Sequence, residues 1–175
     1  MVRRDGSYLR VLDANLNRAR EGLRVCEEVA RLVLNDPSLT HAFQQLRYAL
    51  DDAARPFPAQ ELLRSRNSRS DVGHPGLRGR VRPHKDLKDL SAANIRRVQE
   101  AFRVLEEFTR LRAPKASRSF GSLRFRTYTL EQAFLEHARS RFCPVLERAF
   151  ARFARILRAL VTPQLSHQLM LVRFR

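Results

Sequence analysis

Residues 15–32, NLNRAREGLRVCEEVARL, align without a gap on residues 94–111, NIRRVQEAFRVLEEFTRL, at an offset of 79. Asn15, Arg18, Glu21, Arg24, Val25, Glu27, Glu28, Arg31 and Leu32 recur as Asn94, Arg97, Glu100, Arg103, Val104, Glu106, Glu107, Arg110 and Leu111. Both copies carry apolar residues three and four apart, the period of an amphipathic helix. A second match follows each: FQQLRY, 43–48, corresponds to FGSLRF, 120–125, at an offset of 77. The repeated unit is therefore a helical hairpin. Two such hairpins predict an all-α, pseudo-two-fold four-helix bundle with an extra C-terminal helix, and no strand-like alternation competes over comparable length.

Prolines and caps set the expected boundaries. The first helix runs from about 7 to 34 and stops at NDPS, where Asp36 can cap a second helix with Pro37 in its first turn. That second helix ends before PFP. The stretch 56–90 holds four prolines and three glycines, with AQELL as a short helical turn inside it. A connection of this length in a compact domain points to function or disorder. A third helix is expected over about 91–112 with Ser91 as its N-cap, and Pro114 marks its end. A fourth follows over about 117–142, up to Pro144, and a basic fifth helix reads VLERAFARFARILRALV. The chain thus reads as one domain of 175 residues: repeat one at about 7–56, a linker at about 57–90, repeat two at about 91–137, and an extension over 138–175.

At 43% hydrophobic and 30% charged residues, the composition suits a globular chain. No apolar run approaches the roughly 20 residues that span a bilayer, and the start MVRRDGSYLR has no secretory h-region, so a cytoplasmic protein without a membrane partner is expected. Cys26 and Cys143 form no C-x-x-C and read as packed, reduced thiols. The formal net charge is +16, and arginine carries nearly all of it. Its planar fork suits phosphate oxygens, which implies an anionic partner, either nucleic acid or a small phosphorylated metabolite. Arginine-rich composition spread over a solvated surface would give the same number.

On a 100° wheel, Leu16, Ala19, Leu23, Cys26, Val29 and Ala30 share one side. Asn15 lies within that arc and Arg18 at its edge, as do Asn94 and Arg97 in the second copy. Glu27 and Glu106 border the opposite edge. Arg24, Glu28, Arg31 and their counterparts point outward, the pattern of a solvated face with Glu–Arg pairs. An unpaired arginine on the apolar side is expensive, so Arg18 and Arg97 must be paired, with Glu21 and Glu100 one turn away, or must line a cavity. Two Asn/Arg/Glu sets facing one another would make an electropositive cleft. No Walker-type loop, G-x-G-x-x-G or H-E-x-x-H is present, and the five histidines are scattered.

DANLNRAREGLRVCEEVARLVL, LRYAL, SDVG, AANIRRVQEAFRVLEEF and LRFRTYTLEQA, in this order, resemble the all-helical hydroxymethylpyrimidine-phosphate kinase family of thiamin biosynthesis, often fused N-terminally to thiamin-phosphate synthase. The resemblance covers roughly residues 7–137. It implies ATP-dependent phosphorylation of hydroxymethylpyrimidine monophosphate to the diphosphate with Mg²⁺, and no phosphorylation of the free pyrimidine. The chain departs from the family in its central loop, where RNSRSDVG puts Asn67 in place of a carboxylate, and a stand-alone version without a synthase barrel is expected. For this chemistry Arg18, Arg97, Arg47 and Arg124 are the candidate phosphate contacts, with Arg66 and Gly73 of the loop. Asn15 and Asn94 are candidates for the aminopyrimidine or a phosphate, and Glu21 and Glu100 complete the cleft. Asp71 is the candidate metal ligand or loop anchor. Two other readings stand beside this one: a non-catalytic accessory module docking on thiamin-phosphate synthase, and a basic nucleic-acid-binding helical protein. The second lacks any recognisable binding motif.

Overall fold

The computed structural model describes residues 2–69, 71–72 and 83–138. The chain divides into a unit of residues 1–136 and a second of 137–175. Nearly all of the second unit lies outside the described residues, as do the expected fifth helix, Cys143 and Gly73.

Every regular element among the described residues is a helix. Helix α1, Val2–Glu28, continues into one wide π-turn, Val29–Val33. Asn35 then takes a left-handed conformation with φ of 50°, and the amide of Asp36 donates to Ala30 O at 3.0 Å. This satisfies a carbonyl that the helix end would otherwise strand. Asp36 caps α2, Pro37–Ala54, by accepting from the Leu39 amide at 3.0 Å, and Pro37 occupies the first turn as the sequence predicts. The AQELL segment forms α3, Ala59–Ser65.

Helix α4, Leu87–Arg110, begins four residues before the expected start. Its cap is Asp86, which accepts from the Asp89 amide at 2.7 Å, and not Ser91. Ser91 is fully buried inside the helix, where its hydroxyl donates to Leu87 O at 2.6 Å. Asp and Ser cap about equally well, and the complete burial of Ser91 leaves the end of the helix to Asp86. Helix α5 occupies 114–138, so Pro114 opens it as well as ending the helix before.

The core lies between the helices: Leu12, Leu16 and Leu23 of α1, Phe43, Leu46 and Leu50 of α2, Ile95, Phe102 and Leu105 of α4, and Phe120 and Phe134 of α5. Phe43 and Phe134 meet edge to face with centroids 5.0 Å apart. Helix α1 packs extensively on α4. A Cβ on Gly22 would stand 2.7 Å from Val98 Cγ2 and 2.9 Å from Asn94 O, and Cys26 Sγ lies 3.8 Å from Ser91 O. Rising numbers on α1 thus meet falling numbers on α4, so the two helices cross antiparallel. The arrangement is compatible with two copies of one hairpin, α1–α2 and α4–α5.

Candidate functional site

The α1–α4 crossing opens on one side into a cleft of about 560 Å³. Asn15, Arg18, Glu21 and Gly22 line it from α1; Asn94, Arg97, Glu100, Ala101 and Val104 line it from α4. The first four on α4 are the repeat counterparts of the four on α1. Each asparagine is locked to its own helix: Asn15 Nδ2 donates to Val11 O and Asn94 Nδ2 to Leu90 O, both at 2.8 Å. Such bonding to the carbonyl four residues back fixes the rotamer and leaves the amide oxygen available. In the first copy that oxygen accepts from Arg18 Nη1 at 3.3 Å.

The wheel leaves Arg18 and Arg97 either paired or facing a cavity, and they face the cavity. Among the described residues none of Arg18, Arg97, Glu21 and Glu100 forms an ion pair. All four are exposed, so water solvates them, and a ligand must replace that hydration with charge-assisted bonds of its own.

The second half of the repeated motif does something else. Glu27, with 2% of its side chain exposed, receives Arg47 Nε of α2 at 2.5 Å and Arg24 Nη1 at 3.4 Å. Glu106 receives Arg124 Nε of α5 at 3.0 Å, and Arg103 and Arg110 at 3.5 and 3.2 Å. Arg24–Glu28, Arg31–Glu28, Arg103–Glu107 and Arg110–Glu107 complete two matching networks on the outward face, as the spacing predicts. Arg47 and Arg124 are therefore not brought into the cleft: they tie each hairpin together through a largely buried carboxylate. Arg124 also donates to Tyr128 Oη at 3.1 Å, and these two bonds hold its guanidinium pKa above the ordinary arginine value. Sequence reasoning missed this pairing, although Glu27/Glu106 and Arg47/Arg124 recur in register and Glu27 and Glu106 border the apolar arc.

The central loop packs on α1. Arg66 grips buried Asp13 through two bonds of 2.8 Å, a bidentate fork that raises the Arg66 pKa. Arg10 holds the carboxylate of Asp71 at 3.2 Å and the carbonyl of Asn67 at 3.1 Å. Arg66 and Asp71 thus sit in ion pairs outside the cleft lining. Gly73 lies outside the described residues. No group of three or more His, Cys, Asp or Glu side chains gathers among the described residues. Cys26 is buried at the helix crossing, and burial together with the charge of Glu131 pushes its thiol up to about 12, so it is no nucleophile.

The chain matches the model of the ThiD2 family over residues 10–133. Its curated relatives include the thiamine-phosphate synthase of Synechocystis sp., 42% identical over 126 residues, which cover 72% of this chain and 36% of that one. The thiamine-phosphate synthase of Nostoc punctiforme is 38% identical over 130 residues, 74% of this chain and 36% of that one. That of Rhodopirellula baltica is 39% identical over 122 residues, 70% and 32% respectively. The matched part spans about a third of each relative's length. No solved structure matches the chain.

Proposed function

The chain belongs to the ThiD2 family, and from that premise we propose that it serves thiamin biosynthesis by binding a pyrimidine phosphate in the α1–α4 cleft. The observation that carries this is a pair of guanidiniums, Arg18 and Arg97, lining one cavity without a carboxylate partner among the described residues. The cavity falls in the range that suits a small-molecule ligand.

The reaction this cleft suits is ATP-dependent phosphorylation of hydroxymethylpyrimidine monophosphate to the diphosphate. A phosphate monoester has its second pKa near 6, so it is mostly a dianion at neutral pH and needs no strong base. The obstacle is repulsion between that dianion and an anionic nucleotide. Positioning and charge neutralisation do most of the work in phosphoryl transfer, and two arginines across a cleft supply both. Magnesium typically takes one or two protein carboxylates plus phosphate oxygens. Glu21 and Glu100 fit that donor set better than Asp71, whose charge Arg10 already offsets. Bound there, the ion would neutralise nucleotide phosphate charge.

A second reading is supported more directly by the comparisons: a non-catalytic accessory module of thiamin-phosphate synthase. The three relatives given above are each named as that synthase, and the chain aligns with only about a third of each. An ADP-release assay separates the two. The kinase reading expects ADP that depends on hydroxymethylpyrimidine monophosphate, ATP and Mg²⁺, with none from the free pyrimidine. A folded protein that binds the monophosphate and releases no ADP leaves the accessory module.

A further inference from the structure

The register of the crossing says how the two arginines relate to one another. Gly22 lies against Asn94 and Val98, and Cys26 against Ser91. Arg97 is then level with about Glu21, two or three residues from Arg18, a separation of roughly 4 Å along the crossing at 1.5 Å per residue. Two long flexible side chains reach a common point across that offset with ease. The asparagines behave differently. Asn94 is level with about Arg24, which puts it roughly 13 Å along the crossing from Asn15. The cleft therefore has one centre that both guanidiniums can reach, Arg18 by leaving the Asn15 oxygen it bonds at 3.3 Å, and two ends with one carboxamide each.

We propose that Arg18 and Arg97 hold a single shared phosphoryl group at the centre of the crossing, while Asn15 and Asn94 mark the ends where two different molecules lie. The proposal rests on the reading of this cleft as a phosphate site. A phosphoryl group has three non-bridging oxygens, enough for a forked bond from each side. One carboxylate from each helix, Glu21 and Glu100, lines the same centre, so a bare anion is opposed there and an anion accompanied by Mg²⁺ is favoured. The class of ligand pair is a phosphomonoester at one end and a polyphosphate at the other, sharing the group between them.

The test uses the full chain, inorganic phosphate and Mg²⁺, and follows the side-chain amide resonances of Asn15 and Asn94 by NMR. Site-specific signals are needed because a chain of net charge +16 collects phosphate elsewhere. A shared anion makes both amides move along one saturation curve. Arg18→Gln and Arg97→Gln then each weaken both responses by about tenfold or more, as expected for a lost charge-assisted contact. Two separate curves, with each substitution silencing only its own repeat's asparagine, mean two anions and overturn the proposal. Unmoved amides in a folded protein overturn it together with the phosphate reading of the cleft. A shared curve in a protein that releases no ADP removes the kinase and leaves the shared anion in place.

Discussion

At the scale of single residues, two kinds of arginine that look alike in the sequence part company. Removing Arg47 leaves the carboxylate of Glu27 buried, with only exposed Arg24 near it, and a buried charge stripped of its main partner is costly. Arg47→Ala is expected to lower stability by about 2 kcal/mol or more in urea denaturation. Arg18→Gln strands nothing, since among the described residues Arg18 bonds only to Asn15, and surface changes of that kind stay within about 0.5 kcal/mol. Equal losses from the two would sink the division into hairpin ties and cleft arginines. A thiol held at about 12 by burial is still protonated at pH 8. Cys26 should therefore resist iodoacetamide in the native protein and react in urea, as peptide mapping by mass spectrometry can show. Alkylation of Cys26 at equal rates in both would contradict its place in the core.

Between elements, the decisive contact is the close approach at Gly22. Alanine is the better helix former by about 1 kcal/mol, yet its methyl there would overlap the Asn94 carbonyl of another helix backbone, which cannot swing aside. Overpacking of this kind costs typically 1–3 kcal/mol, so Gly22→Ala should come out destabilising despite its propensity. At Gly121 the neighbour is the side chain of Glu106 at 3.3 Å, and Gly121→Ala should cost clearly less. Calorimetric melting of both variants decides; the reverse order would mean that α1 and α4 do not cross at Gly22. Much at this scale was legible in the sequence. Asp36, Pro37 and Pro114 are local signals, and they marked the helix ends where the chain indeed turns. The start of α4 was not legible in the same way. Asp86 and Ser91 are both acceptable caps, and what decides is that the fold buries Ser91 completely. The cleft was legible as a pair of Asn/Arg/Glu sets because their spacing repeats. The glutamate partners of Arg47 and Arg124 were not legible because they stand 20 and 18 residues away, where only the hairpin's closure brings them together.

For the whole molecule the question is what a net charge of +16 is for. Arg24, Arg31, Arg103 and Arg110 are paired with carboxylates, and on the proposed reading Arg18 and Arg97 are left to take a small anion. Hydroxymethylpyrimidine monophosphate with ATP–Mg²⁺ should raise the melting temperature by a few degrees, through the linkage of ligand to the folded state alone. Short duplex DNA should produce a smaller shift that vanishes between 50 and 200 mM salt, as a phosphate-backbone contact does. A DNA shift that exceeds the metabolite's and survives salt would favour the nucleic-acid reading. Among the described residues no helix is long and apolar enough to cross a membrane.

The loop clamp on α1, Arg66 on Asp13 and Arg10 on Asp71, has a bearing on direction. A cleft lined by matching residues from two antiparallel helices is degenerate: turned end for end, it offers a ligand the same groups. A reaction between unlike molecules has a sense, donor to acceptor, and something must remove that degeneracy. The chain contains one central loop, anchored beside the Asn15 half by charges at positions 10 and 13 whose repeat counterparts, Asp89 and Ala92, cannot make the same pairs. On the proposed two-molecule reading of the cleft, this one-sided clamp would distinguish its two ends, and moving it to α4 would be expected to reverse which end receives which molecule.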